Sequence, residues 1–164
     1  MVPVRIASLS VDSTSNQPVI ILRPIEDEDG SGRLVPIWIG QTEATAILLA
    51  LQDISPPRPM THDLLKDAIE ALGAEVSRVE ITRIENGTFY ALVVLETLGE
   101  MTLEVDARPS DSIALAVRTG APIFIAEQVI DEASVVEVTE EDEEAEVERF
   151  REFIEGVDPS DFQG

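Results

Sequence analysis

The chain opens with two stretches rich in Val and Ile, Val2 to Val11 and Pro18 to Ile25, separated by the polar run Asp12 to Gln17. That pattern predicts two strands joined by a turn. Leu34 to Ile39 predicts a third short strand carrying Trp38. After Gly40 the period changes: Ala44, Ile47, Leu48 and Leu51 recur at helical spacing, and Ala46, Leu49 and Ala50 extend the apolar surface around a helix expected to be buried. Ser55-Pro56-Pro57-Arg58-Pro59 must end it, because proline cannot continue a helix and restricts its predecessor. A second helix is expected from Thr61, as N-cap, to Leu72, with Leu64, Leu65, Ala68, Ile69 and Leu72 as its core face and Gly73 as its stop.

Val76 to Ile84 and Thr88 to Leu95 flank Asn86-Gly87, the strongest short hairpin signal, since both residues tolerate positive φ. Met101, Leu103 and Val105 alternate with Thr102 and Glu104, predicting a strand with one buried face, so residues 76–106 read as an antiparallel three-stranded meander. Ser110 is expected to cap a third helix over 111–118, apolar nearly all round. Pro122 to Ile125 predicts a buried strand, and 126–131 a short helix or turn. The fold class is α+β: a mostly antiparallel sheet with two or three packed helices. The chain divides at 131 into that domain and an acidic tail, 132–164, in which Val147, Phe150 and Ile154 mark an amphipathic helix over 140–155.

Charge and composition narrow the function. With 164 residues the chain is long enough for one real core. It holds 11 basic and 33 acidic side chains, a net charge of −22. Residues 127–164 contribute 15 acidic and 2 basic of these, so the excess is concentrated late in the chain. A basic face for holding nucleic acid by its phosphates is not visible in such a sequence. Cysteine is absent, which excludes disulfides, thiolate metal sites and a cysteine nucleophile. Neither a secretory signal nor a run of ~18 apolar residues occurs, so a cytoplasmic protein without a membrane span is expected. Glu26 to Gly32 is acidic, but it lacks calcium-loop ligand spacing and reads as a plain loop.

Two clusters carry candidate chemistry: Arg58-Pro59-Met60-Thr61-His62-Asp63 and Asp106-Ala107-Arg108-Pro109-Ser110-Asp111. Each sets carboxylate and guanidinium around a proline near a helix start, where exposed amides attract anions. Carboxylates there could hold a divalent ion, and His62, the sole histidine, is suited to proton transfer near neutrality. Glu43 opens the first helix in the same way. An equally direct reading is structural: Asp63 and Asp111 favour the helix dipole by roughly 0.3–1 kcal/mol, and Arg58 and Arg108 pair with them.

Pro36-Ile37-Trp38-Ile39-Gly40 with Glu43-Ala44, then Arg58 to Leu65, Gly87-Thr88-Phe89-Tyr90-Ala91, Asp106 to Ala116 and Pro122-Ile123-Phe124 together resemble the bifunctional nuclease family over residues 2–131. Ser112 stands where alanine is commoner. The resemblance implies an α+β domain that hydrolyses phosphodiester bonds of DNA and RNA. On that basis His62, Asp63, Arg108 and Glu43 are candidate catalytic residues, Arg58, Arg108 and Ser110 candidate substrate contacts, and Asp106 and Asp111 candidate ligands for Mg²⁺ or Mn²⁺. Two alternatives remain. One is a non-catalytic interaction module, a homodimer or higher homo-oligomer built on the apolar helices 41–52 and 111–118. The other is a binding site for a small anion without turnover.

Overall fold

The computed structural model describes residues 1–26, 32–136 and 148; the expected tail helix over 140–155 lies outside these apart from residue 148. Its elements run β1 (Val2–Val11), β2 (Pro18–Pro24), β3 (Arg33–Trp38), α1 (Gln41–Leu51), α2 (Thr61–Ala71), β4 (Ala74–Glu85), β5 (Thr88–Thr97), β6 (Thr102–Ala107), α3 (Pro109–Thr119), β7 (Ile123–Ile125), α4 (Glu127–Ala133) and β8 (Val135–Val136). One sheet has the order β6-β5-β4-β7-β1-β2-β3-β8, antiparallel throughout except for the parallel β4–β7 pair. The α+β class is therefore as expected, and the short helix or turn expected over 126–131 is the helix α4. β8 pairs with β3, so the folded unit continues through Val136.

The hairpin forms as its chemistry dictates. Asn86 and Gly87 both have positive φ, 50° and 77°, the geometry that matches strand twist, and Glu85 faces Thr88 across the turn. The meander β4-β5-β6 follows. Register shifts at Val76/Arg78, Ile81/Arg83 and Ile6/Ser8 bend β4 and β1. From β5 to β3 the strand order spans five spacings, about 24 Å in a flat sheet. Yet Trp38 and Phe89 line one cleft, so the sheet is strongly coiled. Ile20, Leu22, Val35, Val79, Ile81 and Ile125 fill its concave side, and α3 closes it with Ile113 and Leu115.

Three expectations need correction. α1 is covered on one side only: Ala44, Ala46 and Ile47 are buried, whereas Leu48 and Leu51 are exposed. β6 buries neither face, because it is the outer strand of the sheet and Leu103 and Val105 lie open beside it. The largest difference is in α2, whose single buried residue is His62, while Leu64, Leu65 and Leu72 point outward. The helix is turned by its polar residues, which find charged partners on α3. Hydrophobic periodicity takes no account of such pairing.

Candidate functional site

Three helix starts converge. Glu43 is the third residue of α1, Asp63 the third of α2 and Asp111 the third of α3. Negative charge is favoured at each. α3 begins with Pro109, whose fixed φ suits the first helical position. Its N-cap is Arg108 rather than Ser110, which is buried within the first turn.

Arg108 joins two of these starts. Its Nη2 donates to Glu43 Oε1 at 2.7 Å and its Nε to Asp111 Oδ2 at 2.8 Å. Asp111 Oδ1 lies 2.9 Å from His62 Nε2. The chain Glu43–Arg108–Asp111–His62 thus has one open member: the Arg108 side chain is 65% exposed, whereas that of His62 is 10%. Glu43 folds back towards its N-cap, Gly40, where any Cβ would overlap its Oε2.

Electrostatics follow from these contacts. Glu43 is held below the ordinary carboxyl range by its own backbone N–H and by Arg108. For Asp111, burial pushes upward, but hydrogen bonds from Arg108 and His62 outweigh it and the net shift is downward. Arg108 is held more firmly protonated by Asp111 and then Glu43.

Asp63 belongs to a second cluster. Its Oδ2 accepts the Met60 N–H at 2.9 Å and its Oδ1 the Arg118 Nε at 2.8 Å, and these two contacts, in that order, lower its carboxyl. Arg118, only 7% exposed, also donates to the carbonyls of Ala114 and Ala46. Its guanidinium therefore ties α1, α2 and α3 together. Sequence reasoning missed this residue and assigned its role to Arg58. The signal was present: Arg118 lies seven positions after Asp111, on the same helix face, in a mostly apolar helix.

The remaining candidates fall elsewhere. Arg58 is exposed in the α1–α2 connection and joins none of these pairs. Asp106 is exposed on β6. Among the described residues no group of three or more His, Asp or Glu side chains is placed to hold a metal. Both oxygens of Asp111 are already engaged by Arg108 and His62. The Asp106–Asp111 pair expected as ligands for Mg²⁺ or Mn²⁺ therefore does not fit a resident ion: the chain runs one way to the edge strand and the other into an arginine–histidine network.

The site of this α+β domain is thus two helix starts joined by Arg108, with the start of α2 docked on them through His62. The bifunctional nuclease domain family matches residues 20–138, and the chain belongs to that family. An uncharacterised protein of Mycobacterium tuberculosis (strain ATCC 25618 / H37Rv) is 44% identical over 98% of this chain and 97% of its own length. Bifunctional nuclease 1 of Oryza sativa subsp. japonica is 35% identical over 62% of this chain, and Bifunctional nuclease 2 of Arabidopsis thaliana 32% over 60%. These matches span only 31% and 30% of the two plant proteins. No helix among the described residues is long and apolar enough to cross a membrane.

Proposed function

We propose that the chain hydrolyses phosphodiester bonds of DNA and RNA, and that Arg108 is the group that meets the phosphate. The observation that carries this reading is the Arg108 geometry, an exposed guanidinium held by two carboxylates, in a chain 35% identical over 62% of its length to a relative named as a nuclease. Two of its five N–H donors are committed, which leaves others for a phosphate and for the charge that develops on its oxygens during attack. His62 is the group suited to move the proton of the attacking water, and Asp111, with both oxygens taken up by Arg108 and His62, orients it. Glu43 is a positioning residue, because it acts through Arg108. Asp63 aligns α2, and through it His62. Ser110 and Arg58 are lesser candidates for substrate contact. A divalent ion arriving with the substrate phosphates, the usual habit of Mg²⁺, is an experimental variable.

The test is cleavage of single- and double-stranded DNA and of RNA with Mg²⁺, Mn²⁺ or EDTA, by wild type and by folded His62→Ala and Asp111→Asn variants. Activity in wild type and its loss in both variants supports the reading. Equal activity in all three contradicts it and marks a contaminant.

A homo-oligomeric interaction module is the second reading, and a different observation favours it. Leu64, at 62% exposure on the outer face of α2, and Leu72, at 86% just past its end, make a surface apolar enough to receive a second copy. α3, by contrast, is covered within one chain, which removes that helix from the argument. A mass of 17.9 kDa by light scattering would dismiss this reading; a multiple of it, lost in Leu64→Lys, would support it.

A further inference from the structure

Beside Arg108 a cleft of about 390 Å³ opens between the end of β3, the β4–β5 turn and the start of α3, lined among others by Trp38, Gly40, Thr88, Phe89 and Arg108. Trp38 is 51% exposed, yet it is not loose: its Nε1 donates to Asp12 Oδ2 at 2.9 Å. Asp12 is in turn fixed by the β1–β2 turn, where its Oδ1 accepts the Thr14 N–H at 2.8 Å. With its one N–H consumed, the indole has only its faces to offer a ligand. A partner recognised there must itself be flat and apolar-faced, and Arg108 in the same cleft selects one that also carries negative charge.

We propose that this cleft is a subsite for an unpaired nucleotide of a single strand, its base stacked on Trp38 and its phosphate drawn to Arg108. The proposal rests on the phosphodiesterase reading and adds the substrate form. Bases within a duplex already stack on both faces and cannot lie on an indole, whereas those of a single strand can. Recognition through a ring face is tolerant of base identity, because every base has one. It also works without a basic groove.

Trp38 is the only tryptophan, so its emission reports on the subsite directly. Short single-stranded oligodeoxynucleotides with phosphorothioate links, titrated into the full chain with EDTA present, should quench it to saturation. A labelled strand followed by anisotropy should bind Trp38→Ala about 5- to 100-fold more weakly than wild type, with Trp38→Phe restoring most of the affinity. A matched blunt duplex should bind at least tenfold more weakly than the strand. Unchanged affinity in Trp38→Ala, or a duplex bound as tightly as the strand, overturns the subsite. A mononucleotide or inorganic phosphate that binds as tightly as the strand overturns the strand assignment. The two readings fail separately. Cleavage by wild type with an unaltered KM in Trp38→Ala refutes the subsite and spares the hydrolase. Binding that depends on Trp38, without cleavage under any metal condition, keeps the subsite and refutes the hydrolase.

Discussion

Gly40 is small because Glu43 needs the space. The backbone at Gly40 (φ −73°, ψ 155°) suits any residue, so an added Cβ meets no backbone strain and only the Glu43 carboxylate stands in its way. Gly40→Ala should therefore push Glu43 off Arg108 while leaving the fold in place. The expected outcome is a fall in cleavage rate of about ten- to a hundredfold, the scale of a misplaced positioning group, with a melting temperature close to wild type. Measured rates and melting curves for that variant check it. Protons give a second prediction at this scale. Glu43, Asp63 and Asp111 all lie below their ordinary carboxyl values when folded. The unfolded chain thus binds more protons, and the stability these groups contribute is present above about pH 4 and lost as the pH falls through their folded values. Urea unfolding between pH 6 and 3 should show that decline, and Asp111→Asn should flatten it.

Among elements, α2 shows what a sequence reveals and what it hides. The positions of α1, α2 and α3, the Asn86-Gly87 hairpin and the β4-β5-β6 meander all follow from local period and turn chemistry, which act over a few residues. Which face of α2 turns inward depends on Arg118, 55 residues from Asp63, and on Asp111, 49 residues from His62. Apolar periodicity pointed Leu64 and Leu65 at the core, but the buried guanidinium needs Asp63 as its acceptor and the helix turns accordingly. The same limit applies to β6: alternation identifies two faces without saying whether anything covers either. At the site, residue types and their nearness to helix starts picked out Glu43, His62, Arg108 and Asp111, which do form one network. Asp106 and Arg58, chosen by nearness in sequence, do not join it. Arg118→Met should destabilise the domain by about 2–4 kcal/mol, since it removes the cation paired with Asp63 and the side-chain donor to the Ala46 and Ala114 carbonyls. Chemical denaturation measures this. A loss under 0.5 kcal/mol would mean that α2 is held by other contacts.

The whole molecule carries −22, and five of the described arginines are held in ion pairs. Arg33 pairs with Asp131, Arg78 with Glu80 and Arg83 with Glu85, while Arg108 and Arg118 serve the helix starts. A typical nucleic-acid binder loses affinity steeply with salt, in proportion to the phosphates it neutralises. Here one guanidinium in an acidic protein should give a logarithmic salt slope no steeper than about −1, because screening also relieves the overall repulsion. A slope near −5 would reveal a basic surface that these ion pairs do not provide.

The central claim is that Arg108 meets the scissile phosphate, and it is tested most directly by single-turnover cleavage of an end-labelled single strand by wild type and Arg108→Ala, each with its melting temperature. Exposed ion pairs contribute little stability, about 0–1 kcal/mol, so the account predicts a rate at least a hundredfold lower in a variant that melts within a few degrees of wild type. Equal rates in the two proteins, or no cleavage by wild type under any metal condition, would contradict it.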